Sequence, residues 1–465
     1  MFLSTRNPEH LYKFIVLSSK KNAESFLKKK LSLEILKPFK CPSFSYIIFL
    51  IYIIVSGKIF TKKRALIFYE NVEIGRFILA ATFKNYKTYV SKFYFYRTLL
   101  SKFINAGILL KTIEHYVINK KIKAAYVDHC GYLYGIIYSY LADKKIPVYT
   151  NNFPATIYRV DFRNSQKKIY KKYEKSLKIN YRHKLSKNKI NKIKKVLYNF
   201  SKTPNMIPWM GKQNYKKFDK INYKKFDFVV YVHSFTDGQL WYGNDGFENT
   251  LDWLEFTLNK LSKLNKKVLI KAHPNFYEPS YGISSFWDKI IYSKVIKKFK
   301  KNKNFYFIDK PLFNFKLLNK ISKNCVLVTH HGTVLFEGAS FGFKTICSKA
   351  TFFDKKFKVS NFWSNKSEYE KLLNLNQNRL NSSSKNDLLF LFYKTFIDDF
   401  SCFGKKVWEN IIAKEVGINA KKFYAKIKVF SMMGKIQESQ KYLNKVVGKK
   451  EDKIILKISK NIKII

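Results

Sequence analysis

Between residues 226 and 353 the chain repeats one unit: a short apolar run, a polar loop, then a segment with apolar residues at helical spacing. The run at 226–232, Phe-Asp-Phe-Val-Val-Tyr-Val, has the density of a buried strand, and His233, Ser234, Phe235, Thr236, Asp237 and Gly238 follow it at once. Asn249 and Thr250 precede Leu251, Leu254, Leu258 and Leu261, with Asp252 and Glu255 early and Lys260, Lys263, Lys266 and Lys267 late. A side-chain cap and charges that oppose the macrodipole predict a helix there. The run at 267–272 rises as a strand into His273-Pro274-Asn275, and it ends there because proline cannot donate to a sheet ladder. The pattern continues as a helix over 285–300, a strand at 305–308, a helix after Pro311 and a strand at 325–329. Next come His330-His331-Gly332-Thr333, a helix carrying Glu337 and a short strand at 345–347.

Alternating strands and helices predict a parallel, doubly wound sheet. Ligands of such sheets bind beyond the carboxyl ends of the strands. Four of the eight histidines, His233, His273, His330 and His331, stand at those ends together with Asp237. A phosphate is the expected guest, since a glycine turn into a helix N-terminus offers backbone N–H groups to an anion. Each residue also has an ordinary reading: His273 shapes a turn, Gly332 permits one and Glu337 decorates a helix. Their placement at successive strand ends favours a site, with His233 and one of His330 or His331 assigned to its support.

A strand ending in His-Pro, an earlier strand ending in an acidic residue before Gly, and a later turn with Thr followed by Glu resemble the bacterial CMP-sugar glycosyltransferases of the GT-B fold. These are the sialyltransferases and, more nearly, the Kdo transferases and related capsular-polysaccharide biosynthesis proteins. The resemblance is best over the C-terminal half. It implies an α/β, GT-B-like architecture, two Rossmann-like domains facing a cleft, with C-terminal helices. It implies that His273 contacts the nucleotide phosphate, that Asp237 takes part in the chemistry, that Gly332 and Thr333 hold the phosphate, and that Glu337 meets the ribose or base. Lys271, Pro274 and His331 complete the expected nucleotide site. Two positions depart from the pattern: Thr236 stands where sialyltransferases usually carry a second acid, and His330-His331 stand where Ser is commoner.

At 465 residues the chain has the length of two such domains. Lys and Arg number 89 against 32 Asp and Glu, a net charge of +57. The lysines are strewn along the whole chain rather than gathered in one stripe, and no zinc-finger spacing or RNA-binding aromatic motif accompanies them, so nucleic acid is not the expected partner. A basic surface suits anionic sugar donors and attachment to acidic lipid headgroups. Five widely spaced cysteines without a C-x-x-C indicate neither a disulfide framework nor a zinc knuckle. The chain is accordingly expected in the cytoplasm, with any membrane contact peripheral and at the inner face.

Residues 1–60 form a basic N-terminal region whose apolar run at 44–55 falls short of the ~20 residues of a spanning helix. It is expected as a buried helix or strand, with membrane contact the lesser reading. The first Rossmann-like domain is assigned to 61–200: a strand at 65–69, helical segments over 94–121, a strand at 124–127, a helix at 132–142 and a strand at 148–150. The GT-B resemblance makes this the acceptor side, with Glu73, Arg76, Asp128 and His129 as candidates. Asp128 and His129 equally suit a helix cap. A linker is assigned to 201–224, the nucleotide-sugar domain to 225–360, and helices with a basic tail to 361–465.

Transfer from a CMP-sugar breaks a bond between an anomeric carbon and a phosphate, so the site must stabilise charge growing on that phosphate. No D-x-D occurs, and His273, Lys271, His331 and the N–H groups near Gly332 are expected in place of a metal, with no cofactor. Asp237 serves as general base toward the acceptor hydroxyl or as nucleophile, and both remain open. The alternatives are a CDP-polyol phosphotransferase, a metal-dependent phosphoesterase using the histidines, and a non-catalytic capsule assembly factor.

Overall fold

The structure, a computed structural model, describes residues 2–4, 38–120, 122, 124–127, 131–146, 148–151, 157–160, 186–202, 215–240, 243–277, 283–332, 334–349 and 357–389. The first unit comprises β1 (Phe2–Ser4), α1 (Phe44–Val55), β2 (Phe68–Tyr69), β3 (Val72–Glu73), α2 (Gly75–Thr82), α3 (Lys87–Val90), α4 (Lys92–Lys120), β4 (Ala124–Val127), α5 (Tyr134–Asp143), β5 (Val148–Asn151), β6 (Ile157–Val160) and α6 (Lys187–Lys202). Its sheet runs β1-β4-β5-β6, parallel except for the β5–β6 pair. Phe77, Ile78 and Leu79 of α2, Leu99 and Phe103 of α4, and Ile136 and Leu141 of α5 form its core.

The strand expected at 65–69 is shorter than read. Thr61 caps a 3-10 helix over Lys62–Leu66 by accepting from Lys63 N, and only Phe68 and Tyr69 pair, antiparallel, with β3. The strand at 124–127 lies where expected, and α4 and α5 match the predicted helices to within two residues.

The second unit comprises β7 (Phe228–Tyr231), α7 (Thr250–Lys263), β8 (Val268–Lys271), α8 (Ile283–Phe299), β9 (Phe305–Ile308), α9 (Asn314–Lys320), β10 (Val326–Thr329), α10 (Val334–Ser340), β11 (Lys344–Ser348), β12 (Asn361–Trp363) and α11 (Lys366–Asn374). Its six strands, all parallel, are ordered β12-β11-β10-β7-β8-β9. Read from the other edge this is the doubly wound order 3-2-1-4-5-6, whose switch point falls between its first and fourth strands, here β7 and β10. Every residue of β7, β8 and β10 is buried. Phe228, Val230 and Ile270 face one core with α7 and α8, whereas Val229, Leu269 and Leu327 face the other with α9, as the period-2 alternation of a strand covered on both sides requires.

The α/β, GT-B-like plan expected from the sequence is the one observed, two α/β units with largely parallel sheets meeting at the carboxyl edge of β7. Helix α7 begins at the predicted cap, Asn249, whose side chain accepts from Asp252 N at 2.9 Å. The helices expected beyond residue 389 lie outside the described residues.

Close packing fixes Gly135 of α5. A Cβ there would lie 1.9 Å from the Phe77 ring of α2, far inside contact distance. Gly135→Ala is expected to destabilise the fold by about 1–3 kcal/mol, the usual cost of overpacking a filled core, read as a lower urea midpoint with an unchanged slope.

Candidate functional site

The switch point holds the histidines. His233 follows β7 and His331 follows β10, and their rings lie 3.9 Å apart between centroids. His273, just after β8, lies 5.4 Å from the His233 ring. His330 and His331 share a hydrogen bond between their Nδ1 atoms at 2.6 Å. Strand ends in register thus bring together four imidazoles from three separate loops.

Two carboxylates that the sequence reading missed fix this edge. Asp245 Oδ2 lies 2.9 Å from His330 Nε2 and also accepts from the Ser348 hydroxyl. With Nε2 held by Asp245 and Nδ1 held by His331, the His330 ring cannot turn. Trp253 packs against its face edge-on at 5.4 Å. Burial alone would raise the Asp245 carboxyl, but the charge and hydrogen bond of His330, the Ser348 hydroxyl and the Phe247 N–H hold it below the ordinary carboxylate range. The Asp245-Gly246 pair, a turn signal soon after the Asp237 loop, was the available clue.

Asp288 of α8 is the second. Its Oδ1 accepts from Phe235 N, Thr236 N and Thr236 Oγ1, each at 3.0 Å, and its Oδ2 accepts from Ser234 Oγ at 2.5 Å. Four donors of one loop converge on one carboxyl. Burial nonetheless raises it to about 6, with the Ser234 and Thr236 hydroxyls and the loop N–H groups pulling the other way.

Asp237, the next residue, is exposed. Gly238 follows it in the left-handed region at φ 68°, which turns the chain sharply away. The first unit reaches this loop at three points. Tyr132 Oη donates to Asp237 Oδ1 and accepts from Gly238 N at 3.0 Å; Tyr89 Oη donates to Phe235 O; and Arg76 Nη1 donates to Leu240 O at 2.6 Å. Arg76 is only 2% exposed and also grips Glu73 with Nε at 2.8 Å and Nη2 at 3.2 Å. Of the expected acceptor-side residues, Arg76 therefore serves as a strut between the units, with Glu73 as its brace. Asp128 and His129 lie outside the described residues, although Tyr132, three residues after His129, meets Asp237.

Lys271 and Glu337 face the α9 side of the sheet. Both are enclosed, and Asn314 Nδ2 donates to Glu337 Oε2 at 2.6 Å. Burial pushes the Lys271 ammonium down to about 8 against the pull of Glu337, so it stays charged at neutral pH and its field reaches His273. Burial raises Glu337, opposed by Asn314 and Lys271. Pro274 opens the short 3-10 turn Pro274–Tyr277 that carries Asn275, whose N–H donates to His273 Nδ1 at 3.2 Å. The Gly332 N–H is already taken by Thr329 Oγ1 at 3.2 Å, which leaves this expected donor engaged. Thr333 lies outside the described residues. Among the described residues, no three His, Cys, Asp or Glu side chains are grouped as a metal ion would need.

Burial lowers His233 to about 4, with His330 adding to the shift and Asp237 opposing it. Burial and neighbouring positive charge also hold His273 and His331 well below the ordinary imidazole range. At neutral pH these three rings are neutral, so each carries one N–H and one unprotonated nitrogen, and the Nδ1 atoms of His273 and His331 are already engaged by Asn275 N and by His330.

No family model matches the chain, and no curated protein matches its sequence. Among solved structures it is similar to KpsC, a β-Kdo 2,4-transferase of Thermosulfurimonas dismutans, at 10% identity and a TM-score of 0.37, covering 61% of this chain and 87% of that one. It is also similar to the UDP-GlcNAc 2-epimerase of Methanocaldococcus jannaschii in complex with UDP-GlcNAc and UDP, at 12% identity and a TM-score of 0.27, covering 69% and 94% respectively.

Two measurements check the electrostatics. The unfolded histidines titrate near an ordinary value of about 6.5, above the folded values of His233, His273 and His331. Unfolding therefore takes up protons between about pH 6.5 and 4, and stability falls as pH is lowered through that window. Asp288, Glu337 and Glu248, raised in the folded state, act in the opposite sense, whereas Asp245, held low, loses stability in the same direction as the three histidines. Urea midpoints at pH 7.5 and 5 are expected to show the loss, and His331→Asn to narrow it. Asp288→Ala, which strands four donors at about 1–3 kcal/mol for each that stays dry, is expected to cost at least about 3 kcal/mol. Asp288→Asn, which keeps the Oδ1 acceptor, is expected to retain most of that stability.

Proposed function

We propose that this chain is a glycosyltransferase that moves Kdo or another ulosonic acid from a CMP-sugar to a glycan or glycolipid of the cell surface. The observation that carries the reading is the crevice between β7 and β10. There, neutral His233, His273 and His331 stand at the carboxyl edge of a doubly wound sheet, and the loop bearing Asp237 is tied across to Tyr132 of the other unit. Crevices at the switch point of such sheets receive nucleotides. Breaking the anomeric bond leaves charge on the cytidylate phosphate, and fixed N–H donors in a water-poor site stabilise such charge without reorganising. His273 and His331 have that role, and Lys271 supplies a positive field from below the edge. Gly332 turns the chain at the same edge, Thr333 is proposed to contact the phosphate, and Glu337, braced by Asn314, to meet the ribose or base.

Asp237 is the carboxylate at the mouth. Its exposure and its bond to Tyr132 suit a group that takes the acceptor's proton or attacks the anomeric carbon. Asp128 and His129 are proposed for the acceptor side, where Tyr132 marks the approach, and Glu73 supports it through Arg76.

Thermal shifts with CMP, CDP, UDP and GDP test the donor class, because a ligand that binds the folded state stabilises it by mass action. Cytidine nucleotides are expected to give the largest rise. His273→Ala is expected to weaken their binding by about 1.5–3 kcal/mol, the range for a hydrogen bond to a charged group. Asp237→Asn is expected to lower transfer from a CMP-sugar by at least ~10²-fold with donor affinity retained. Transfer at the wild-type rate in that variant would remove Asp237 from the chemistry.

A further inference from the structure

Helix α1 is apolar on every side, and it covers only one of those sides. Tyr46 and Ile53 are buried, and Tyr46 is anchored through a hydrogen bond from Oη to Phe103 O of α4 at 3.0 Å. Gly107 admits its ring, since a Cβ there would lie 2.3 Å from Tyr46. That anchor sets the rotation of the helix. The stripe left facing solvent is Phe44, Ile47, Ile48, Ile51, Tyr52 and Val55, exposed by 78, 38, 53, 56, 54 and 81%. Its i, i+3, i+4, i+7, i+8, i+11 spacing makes it one continuous face. The expectation that this run is buried thus holds for one side of the helix alone. Among the described residues no helix is long and apolar enough to cross a membrane.

The residues that flank the stripe along the chain carry a single sign of charge. Lys40 precedes it and Lys58, Lys62 and Lys63 follow it, all exposed, with Lys58 Nζ bonded to Tyr52 Oη at 2.9 Å. No Asp or Glu occurs between Glu34 and Glu70, nor between Glu73 and Glu114, so α1, its flanking turns and most of the supporting helix α4 contain no carboxylate. Lys and Arg outnumber Asp and Glu by 89 to 32 over the whole chain. A second copy, or another segment of this chain, would therefore bring further positive charge to a positive rim.

We propose that the outer face of α1 docks on an anionic lipid bilayer, lying in the plane of the interface with Phe44, Ile48, Ile51 and Val55 among the upper acyl chains and the flanking lysines among the headgroups. An apolar face ringed by lysine and short of spanning length is the arrangement that inserts part-way into a bilayer, and basic residues beside the membrane add attraction to anionic lipid. Such docking is independent of which nucleotide the second unit holds.

Vesicle co-sedimentation of the full chain tests it. Partition onto vesicles containing 30% phosphatidylglycerol is expected to exceed that onto pure phosphatidylcholine by at least about tenfold at 0.1 M salt, and to weaken at 1 M, where screening shortens to about 3 Å. Replacing Ile48 and Ile51 together (Ile48→Ser, Ile51→Ser) adds no charge and is expected to reduce the partition by about tenfold with an unchanged thermal midpoint. Ile51→Trp is expected to give emission that shifts to the blue on vesicles and is quenched by brominated lipid. Binding that ignores the double Ser change would be adhesion of a basic protein and would overturn the proposal. So would a failure to bind joined to a fallen thermal midpoint, which would mean that the chain covers the stripe itself, or a wild-type dimer that the Ser pair dissociates.

Discussion

Everything at the carboxyl edge of the second sheet depends on how Asp288 holds the loop after β7. A carboxylate withdrawn from water is costly by several kcal/mol unless its lone pairs are filled, and Asp288 is raised to about 6 even with four donors upon it. The charge is tolerated because it supplies what the loop lacks. Residues 234–236 leave the sheet with N–H groups that no strand can accept, and buried N–H groups without partners are rare for the same reason. The carboxyl of α8 satisfies two of them together with two hydroxyls. Once those are fixed, Asp237 has only the outward direction left to it, and it meets Tyr132.

A second carboxylate performs the same service for the imidazoles. His330 is clamped between Asp245 and His331, so the orientation of His331 toward His233 is inherited from a residue on the far side of the ring. A carboxylate bonded to one nitrogen of an imidazole selects which nitrogen remains available at the other end. Burial keeps His233, His273 and His331 uncharged, and four adjacent imidazolium ions could not coexist there. An anion entering the crevice would change that balance by favouring protonated rings, which couples ligand binding to proton uptake.

The parallel sheet was legible because strands covered on both faces must be apolar throughout, and β7, β8, β9, β10 and β11 read as such runs. β1 and β12 were not, since three residues carry no period and the pairing of β1 with β4 joins segments far apart along the chain. The histidines were legible because they end strands. Asp288 was overlooked although its signal was present: it lies on the stripe of Ser285, Ile291, Tyr292 and Val295 that α8 buries, where a carboxylate must have partners. Arg76 was misread as cleft-facing because sequence gives the type of a charged residue and not its depth. For α1 the opposite holds, since a helix apolar all round has no periodicity to say which side is covered.

The struts between the units turn this local order into a property of the cleft. Tyr89, Arg76 and Tyr132 come from α3, α2 and the loop before α5, and all three end on residues 235–240. The loop that carries Asp237 is therefore also the surface on which the first unit rests. Opening the cleft as a rigid hinge would break at least four hydrogen bonds and expose Arg76, whose guanidinium is buried with Glu73 as its counter-charge, and separating a buried charge from its partners is costly. Movement is cheaper if Arg76 and Glu73 travel together, with the change of backbone angle absorbed at Gly238 and beyond. The catalytic candidate and the joint between the units are then a single element, and a substrate that orders the one orders the other.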